Sequence, residues 1–264
     1  MISLLASGGG GVVSHLVDGE IFGKFFTHHH WLLIVVAVIM ILLFRWVARN
    51  AAKREGPPKG FQSLIEVSLV WVRDDIVYPS MGEHNGRKYL YFFWTLFFFI
   101  LGSNLLGLIP FLPPINPFGK AATGNIMVTA ALAIITFLMV QISGMKKHGW
   151  GKYWLHLVPG GVPLMLWPLV WLIELVGLIA KPFALTVRLF ANMTAGHAIL
   201  AVLVGFFMGV AHYDNALIGG LSSIGTFAFY LFIMLFETLV ALIQAYIFTI
   251  LSAIFVGLAL AEEH

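Results

Sequence analysis

Apolar residues in this chain form long runs and do not alternate. Trp31 to Val47 is apolar but for Arg45, and Trp31 and Trp46 lie near its ends, where amphipathic aromatics favour the headgroup level. At about 1.5 Å per residue the stretch is close to the length that crosses a bilayer, so 31–47 is expected to be a first span. Two similar runs, 89–109 and 126–142, are expected to be the second and third. Between the first two, 61–78 interleaves Leu64, Ile65, Val67, Leu69, Val72 and Ile76 with Glu66, Arg73, Asp74 and Asp75. That is too charged to span, and it predicts an interfacial amphipathic helix or a partner-docking face.

The last two runs, 163–211 and 216–260, are each more than twice as long as a span requires. As helices they would exceed about 55 Å against a hydrocarbon core of about 30 Å. Each must either lean far from the membrane normal or break, at Pro168 or Pro182 in the first case. The expected fold is therefore an all-α polytopic membrane protein in one integral domain, 1–264. It has three roughly upright spans, an interfacial helix, and a C-terminal hairpin of two strongly tilted helices joined at 211–215.

The remaining segments refine this outline. Residues 1–30 have no basic residue before Lys24 and carry Gly8 to Gly11, so they lack the layout of a cleavable signal peptide and are expected to form a short, partly disordered head. His28, His29 and His30 are read as an interfacial or loop tract, since three consecutive histidines on a helix cannot all face one metal ion. Arg49, Lys53, Arg54 and Lys59 follow the first span, and Lys146, Lys147, His148 and Lys152 follow the third; the proline-rich loop between the second and third holds only Lys120. By the positive-inside rule the N-terminus lies outside and the C-terminus in the cytoplasm.

Composition supports the membrane reading: 60% of the 264 residues are hydrophobic and 10% are charged, against roughly 25% charged in soluble domains. The net charge of +3 comes largely from the basic loops, so nucleic acid is not an expected partner. The chain has no cysteine, which removes disulfides, thiolate metal sites and a cysteine nucleophile.

Against this background the polar residues of the last two runs stand out. Arg188 sits in a helix otherwise apolar enough for lipid; a guanidinium at mid-bilayer costs at least about 2.5–3.5 kcal/mol and does not deprotonate. If the two runs fold as an antiparallel hairpin, Arg188 with Gln244, and His197 with Glu237, are pairs placed symmetrically about residues 216–217, inside or beside the expected turn. At about 100° per residue, Glu174, Lys181 and Arg188 share a face, as do Glu237 and Gln244, whereas His197 points away from Arg188. Asn192 lies on the side of Arg188 and is expected to brace it. His197 and Glu237 suit a proton relay from the outer water, with Asn125 near it; Glu174 suits an exit on the cytoplasmic side. Plainer readings exist: Gln244, Asn104 and Asn125 as interhelical glue, and Glu174 as an ion-pair partner for Lys181. His148, His156 and His212 are read as solvated loop-edge residues, and the Asn192-Met193-Thr194 sequon as unused beside a membrane arginine.

The run Arg188-Leu189-Phe190-Ala191-Asn192-Met193 with Gly196, and the later Gln244-Ala245-Tyr246 continuing to Ser252, resemble subunit a of F-type ATP synthases. Asn104 to Pro110 and Asn125 to Thr129 resemble two further blocks of that family, and the likeness extends from about Pro57 to the end. The resemblance implies a proton-translocating stator subunit, not itself catalytic, in a bacterial plasma membrane. Its partners would be the c-ring, b-type peripheral stalk subunits and lipid, with H⁺ as the carried ion, Na⁺ left open as an alternative, and no cofactor or metal. It also implies that Arg188 separates two offset half-channels and that Gln244, His197 and Glu237 serve them; here the earlier helix carries the imidazole and the later one the carboxylate, an arrangement that varies among members. Two other classes compete. A secondary ion antiporter would show repeated, interrupted helices, and an intramembrane enzyme would need a recognisable metal or phosphate motif, such as His-Glu-x-x-His, which the sequence lacks.

Overall fold

A computed structural model describes residues 20–22, 26–54, 56–109, 121–155, 162–163, 165–211 and 216–261. Apart from a small antiparallel pair, β1 (Glu20–Phe22) and β2 (Phe26–Thr27), the described chain is helical. The helices are α1 (His28–Lys53), α2 (Phe61–Trp71), a π-helical turn (Val72–Val77), α3 (Tyr78–Leu108), a 3₁₀ turn (Ala122–Gly124), α4 (Ile126–His148), α5 (Trp150–Leu155), α6 (Trp167–Ala211) and α7 (Ala216–Leu260). Five helical segments are long and apolar enough to cross a membrane. Many large apolar side chains, among them Ile41, Leu42, Phe183 and Leu235, face outward, as suits a chain whose surroundings are lipid.

The first span is longer than its apolar run. α1 begins at His28, so the three histidines form its first turn. Its far end is tied to the next element: Arg54 donates to Glu66 at 3.0 Å and 3.2 Å, and the Trp46 ring lies 6.5 Å from that of Phe61.

The segment 61–108 holds a reversal that its apolar pattern conceals. In one straight helix Leu69 and Trp94 would stand about 38 Å apart, yet the Trp94 indole donates to the Leu69 carbonyl at 2.8 Å. Trp71 and Phe97 likewise make an edge-to-face contact at 5.8 Å. The chain folds back at Gly82, whose φ of 75° and ψ of 158° interrupt the helical backbone. That conformation is open essentially only to glycine. α2 has outward Phe61, Leu64 and Val67 and inward Gln62 and Ile65, the two-faced pattern expected of 61–78. The end of this limb is nonetheless core: Val72, Ile76 and Val77 have no exposed surface.

α3 and α7 share the most extensive interface. It is filled by Phe93, Phe97 and Phe248, all buried, and extended by Trp71 stacked on Tyr246 at 5.4 Å. Gly257 lets α7 approach the Ser80 carbonyl more closely than a Cβ would allow. Lys147 at the end of α4 donates at 2.7 Å to the Leu260 carbonyl, satisfying one of the orphan acceptors at the end of α7.

α6 and α7 are each 45 residues, about 68 Å if straight, and neither breaks. Pro168 falls in the first turn of α6, where its missing N–H is harmless. Pro182 is inside the helix, which continues through it, and the Thr186 hydroxyl donates to its carbonyl at 2.9 Å. The turn expected at 211–215 lies outside the described residues from 212 onward, as do Pro110, most of the head and His156.

Candidate functional site

α6 presents two different sides near its middle. Leu185, Leu189 and Met193 are buried, facing a wall of α7 that includes Ala241, Ala245 and Phe248. Arg188 is exposed, and so are Ala184, Ala191, Asn192 and Ala195 around it. Small side chains on either side of the guanidinium leave room for another helix to come close. Among the described residues no carboxylate lies within ion-pair distance of Arg188.

The hydrogen bond across the hairpin is made by a neighbour of the arginine. The Asn192 amide donates to Gln244 Oε1 at 2.8 Å, and Gln244 is only 2% exposed. Asn192 thus braces Gln244 and not Arg188, the expected recipient. The difference follows from geometry: the bond joins residues one helical turn further along α6 than the symmetry about 216–217 anticipates. Arg188 itself is exposed, with no ion-pair partner among the described residues.

Nearer the turn, the Glu237 carboxylate lies against Gly196, so close that a Cβ at 196 would stand 2.7 Å from Oε1. Glu237 is 7% exposed, and its Oε1 has no hydrogen-bond partner among the described residues. His197 follows Gly196 on α6; its side chain lies outside the described residues. Tyr230, two turns before Glu237 on the same face of α7, packs with Ile233 against Leu108, Met193 and Leu200.

Asn104 and Asn125 have structural partners. Thr123 donates to Asn104 Oδ1 at 2.6 Å, and the Asn104 amide points to the Ala241 carbonyl at 3.5 Å, which joins the 3₁₀ turn, α3 and α7. Asn125 is the N-cap of α4, its side chain accepting from the Met127 N–H at 2.8 Å. An asparagine directly before an apolar helical run is a cap signal already present in the sequence.

Glu174 and Lys181 do not pair. Both line a partly open cavity of 740 Å³ between α4, α5, α6 and the end of α7, and the Lys181 ammonium sits 5.4 Å from the centroid of the Phe255 ring. His148 and Tyr153 also line this space, as do Thr136 and Gln141 of α4. The last two escaped the sequence reading because single polar residues in an apolar run look like glue; their burial beside a cavity is visible only in three dimensions.

The chain is similar to known proteins over most of its length. The family model described as ATP synthase A chain matches residues 30–257. An ATP synthase subunit a from Chloroherpeton thalassium is 47% identical over 206 residues, covering 78% of this chain and 57% of the relative. One from Myxococcus xanthus is 40% identical over 223 residues, covering 84% and 68%, and one from Chlorobium phaeobacteroides is 43% identical over 208 residues, covering 78% and 56%. The chain thus spans little more than half the length of most of the relatives it matches. A family match across nearly all of the helical region, on a multi-pass fold carrying Arg188, Asn192 and Gln244 at one crossing of α6 and α7, leads to one conclusion: the chain belongs to the ATP synthase A chain family.

Proposed function

We propose that this chain is the proton-translocating stator subunit of a bacterial F-type ATP synthase, set in the plasma membrane against a rotor ring of carboxylate-bearing c subunits and braced by b-type stalk subunits. The observation that carries the reading is Arg188: exposed on an otherwise apolar helix, with no carboxylate beside it among the described residues. A permanent charge so placed costs at least about 2.5–3.5 kcal/mol unless something outside the chain compensates it. A deprotonated ring carboxylate is such a partner.

In this mechanism Glu237, buried beside Gly196, and the neighbouring His197 hand protons from the outer water to the ring, with Asn125 near that path. Glu174 receives them on the cytoplasmic side after the ring has turned. Arg188, held beside the Asn192–Gln244 pair, draws each ionised carboxylate and repels a proton that would pass straight between the two paths. Each proton crossing about 100 mV then releases about 2.3 kcal/mol through rotation. With the basic ends of α1 and α4 taken as cytoplasmic by the positive-inside rule, the N-terminus lies outside and the C-terminus in the cytoplasm.

The test is Arg188→Ala in the assembled complex. Proton-driven ATP synthesis falls to background while the subunit still assembles; synthesis at the parental rate refutes the reading. Transport by the purified chain without a ring would favour an antiporter instead.

A further inference from the structure

The cavity between α4, α5, α6 and α7 has a polar wall that proton transfer as described above does not use. On α4, Ala133, Thr136, Phe137, Val140 and Gln141 form one face of the helix toward this space. Gln141 is 6% exposed, and among the described residues neither its Nε2 nor its Oε1 has a hydrogen-bond partner. The Thr136 hydroxyl, in a residue 2% exposed, is unpartnered in the same way.

Interhelical glue looks different here. Asn104 meets Thr123 at 2.6 Å across two elements, whereas the Gln141 amide has no hydrogen-bond partner among the described residues. Buried amides and hydroxyls are almost always satisfied, and a space of 740 Å³ has room for on the order of twenty waters at about 30 Å³ each. The space is also polar where water would need it, with Glu174, Lys181, His148 and Tyr153 on its other sides. Lys181 rests on Phe255 and makes no ion pair with Glu174 among the described residues.

We propose that Gln141 and Thr136 bind water and make α4 the hydrogen-bonding wall of an aqueous inlet that reaches Glu174 and Lys181. The amide of Gln141, which both donates and accepts, orders the water that connects Glu174 with the end of the fold bearing Lys146 and Lys147. Only the use made of this water rests on the function proposed above; the wetness of the wall does not.

The cysteine-free sequence makes the test direct. Single cysteines are placed at Gln141→Cys, at the near-isosteric Thr136→Cys, and at Leu138→Cys on the outward face of the same helix, where the side chain is 48% exposed. Each assembled complex, in membranes open to both sides, is treated with a charged methanethiosulfonate, and the mass of this subunit is followed. Gln141→Cys and Thr136→Cys are expected to react at least tenfold faster than Leu138→Cys. Reaction of Gln141→Cys no faster than Leu138→Cys overturns the inference, and if Gln141→Cys fails to assemble, the same comparison with Thr136→Cys decides it. Repeating the labelling with Arg188→Ala separates the two claims: the inlet keeps its reactivity even if synthesis in that variant were to persist.

Discussion

Asn192 and Gln244 are the residues through which the two long helices recognise each other at the level of Arg188. Their bond is 2.8 Å and one partner is almost fully buried. Polar pairs between membrane helices contribute on average about 0.6 kcal/mol and at most about 1.7 kcal/mol. Asn192→Ala and Gln244→Leu should each destabilise the subunit by roughly that much. The double variant should cost little more than either single one when unfolding is followed in mild detergent; strict additivity would show that the bond contributes nothing. Gly196 makes a sharper case. Because a Cβ there meets the Glu237 carboxylate, Gly196→Val must displace that group. The complex should assemble with proton-driven synthesis reduced at least tenfold, whereas Gly177→Ala, with nothing within 4 Å of the added Cβ, should leave it unchanged.

Two glycines fix how the elements meet. Gly82 reverses the chain between α2 and α3 with a backbone that a Cβ strains by about 1–3 kcal/mol. Gly257 sits against the Ser80 carbonyl, and since backbone cannot move aside cheaply, Gly257→Ala overpacks the contact by about 1–3 kcal/mol. Gly82→Ala and Gly257→Ala should each lower the midpoint of thermal unfolding of the purified subunit by several degrees; an unchanged midpoint for either would contradict the packing described. The reversal at Gly82 was not legible in the sequence. The charged stretch at 73–75 looked like the end of a surface helix, and nothing local says that Trp94 will reach back to Leu69. The long helices were legible, because runs of that length leave few alternatives once Gly and Pro are placed. Their continuity was not: Pro182 is compatible with a break, and only the surrounding packing keeps α6 in one piece. At the site, helical period alone put Glu174 and Lys181 on one face, and both line the same cavity, whereas Arg188 is exposed outside it. The partner of Gln244 did not follow from it, since one turn of slippage between two helices is invisible to residue counting, and neither did the polar wall of Gln141 and Thr136.

At the scale of the whole molecule, the fold behaves as a support that holds α6 and α7 against something else. α3 and the limb before it fill one side of α7 with buried aromatics, and α4 closes one end, yet α6 beside Arg188 presents Ala184, Ala191, Asn192 and Ala195, all exposed. In the function proposed above, a partner from another subunit compensates this arginine. The measurement that decides this is disulfide trapping in the otherwise cysteine-free chain, with Ala191→Cys beside Arg188 paired with a cysteine next to the carboxylate of a ring subunit. A crosslink joining one ring subunit to this chain, and stopping proton-driven rotation until it is reduced, is the expected result. No crosslink from Ala191→Cys, alongside efficient trapping from the lipid-facing Leu138→Cys, would contradict the role given to Arg188.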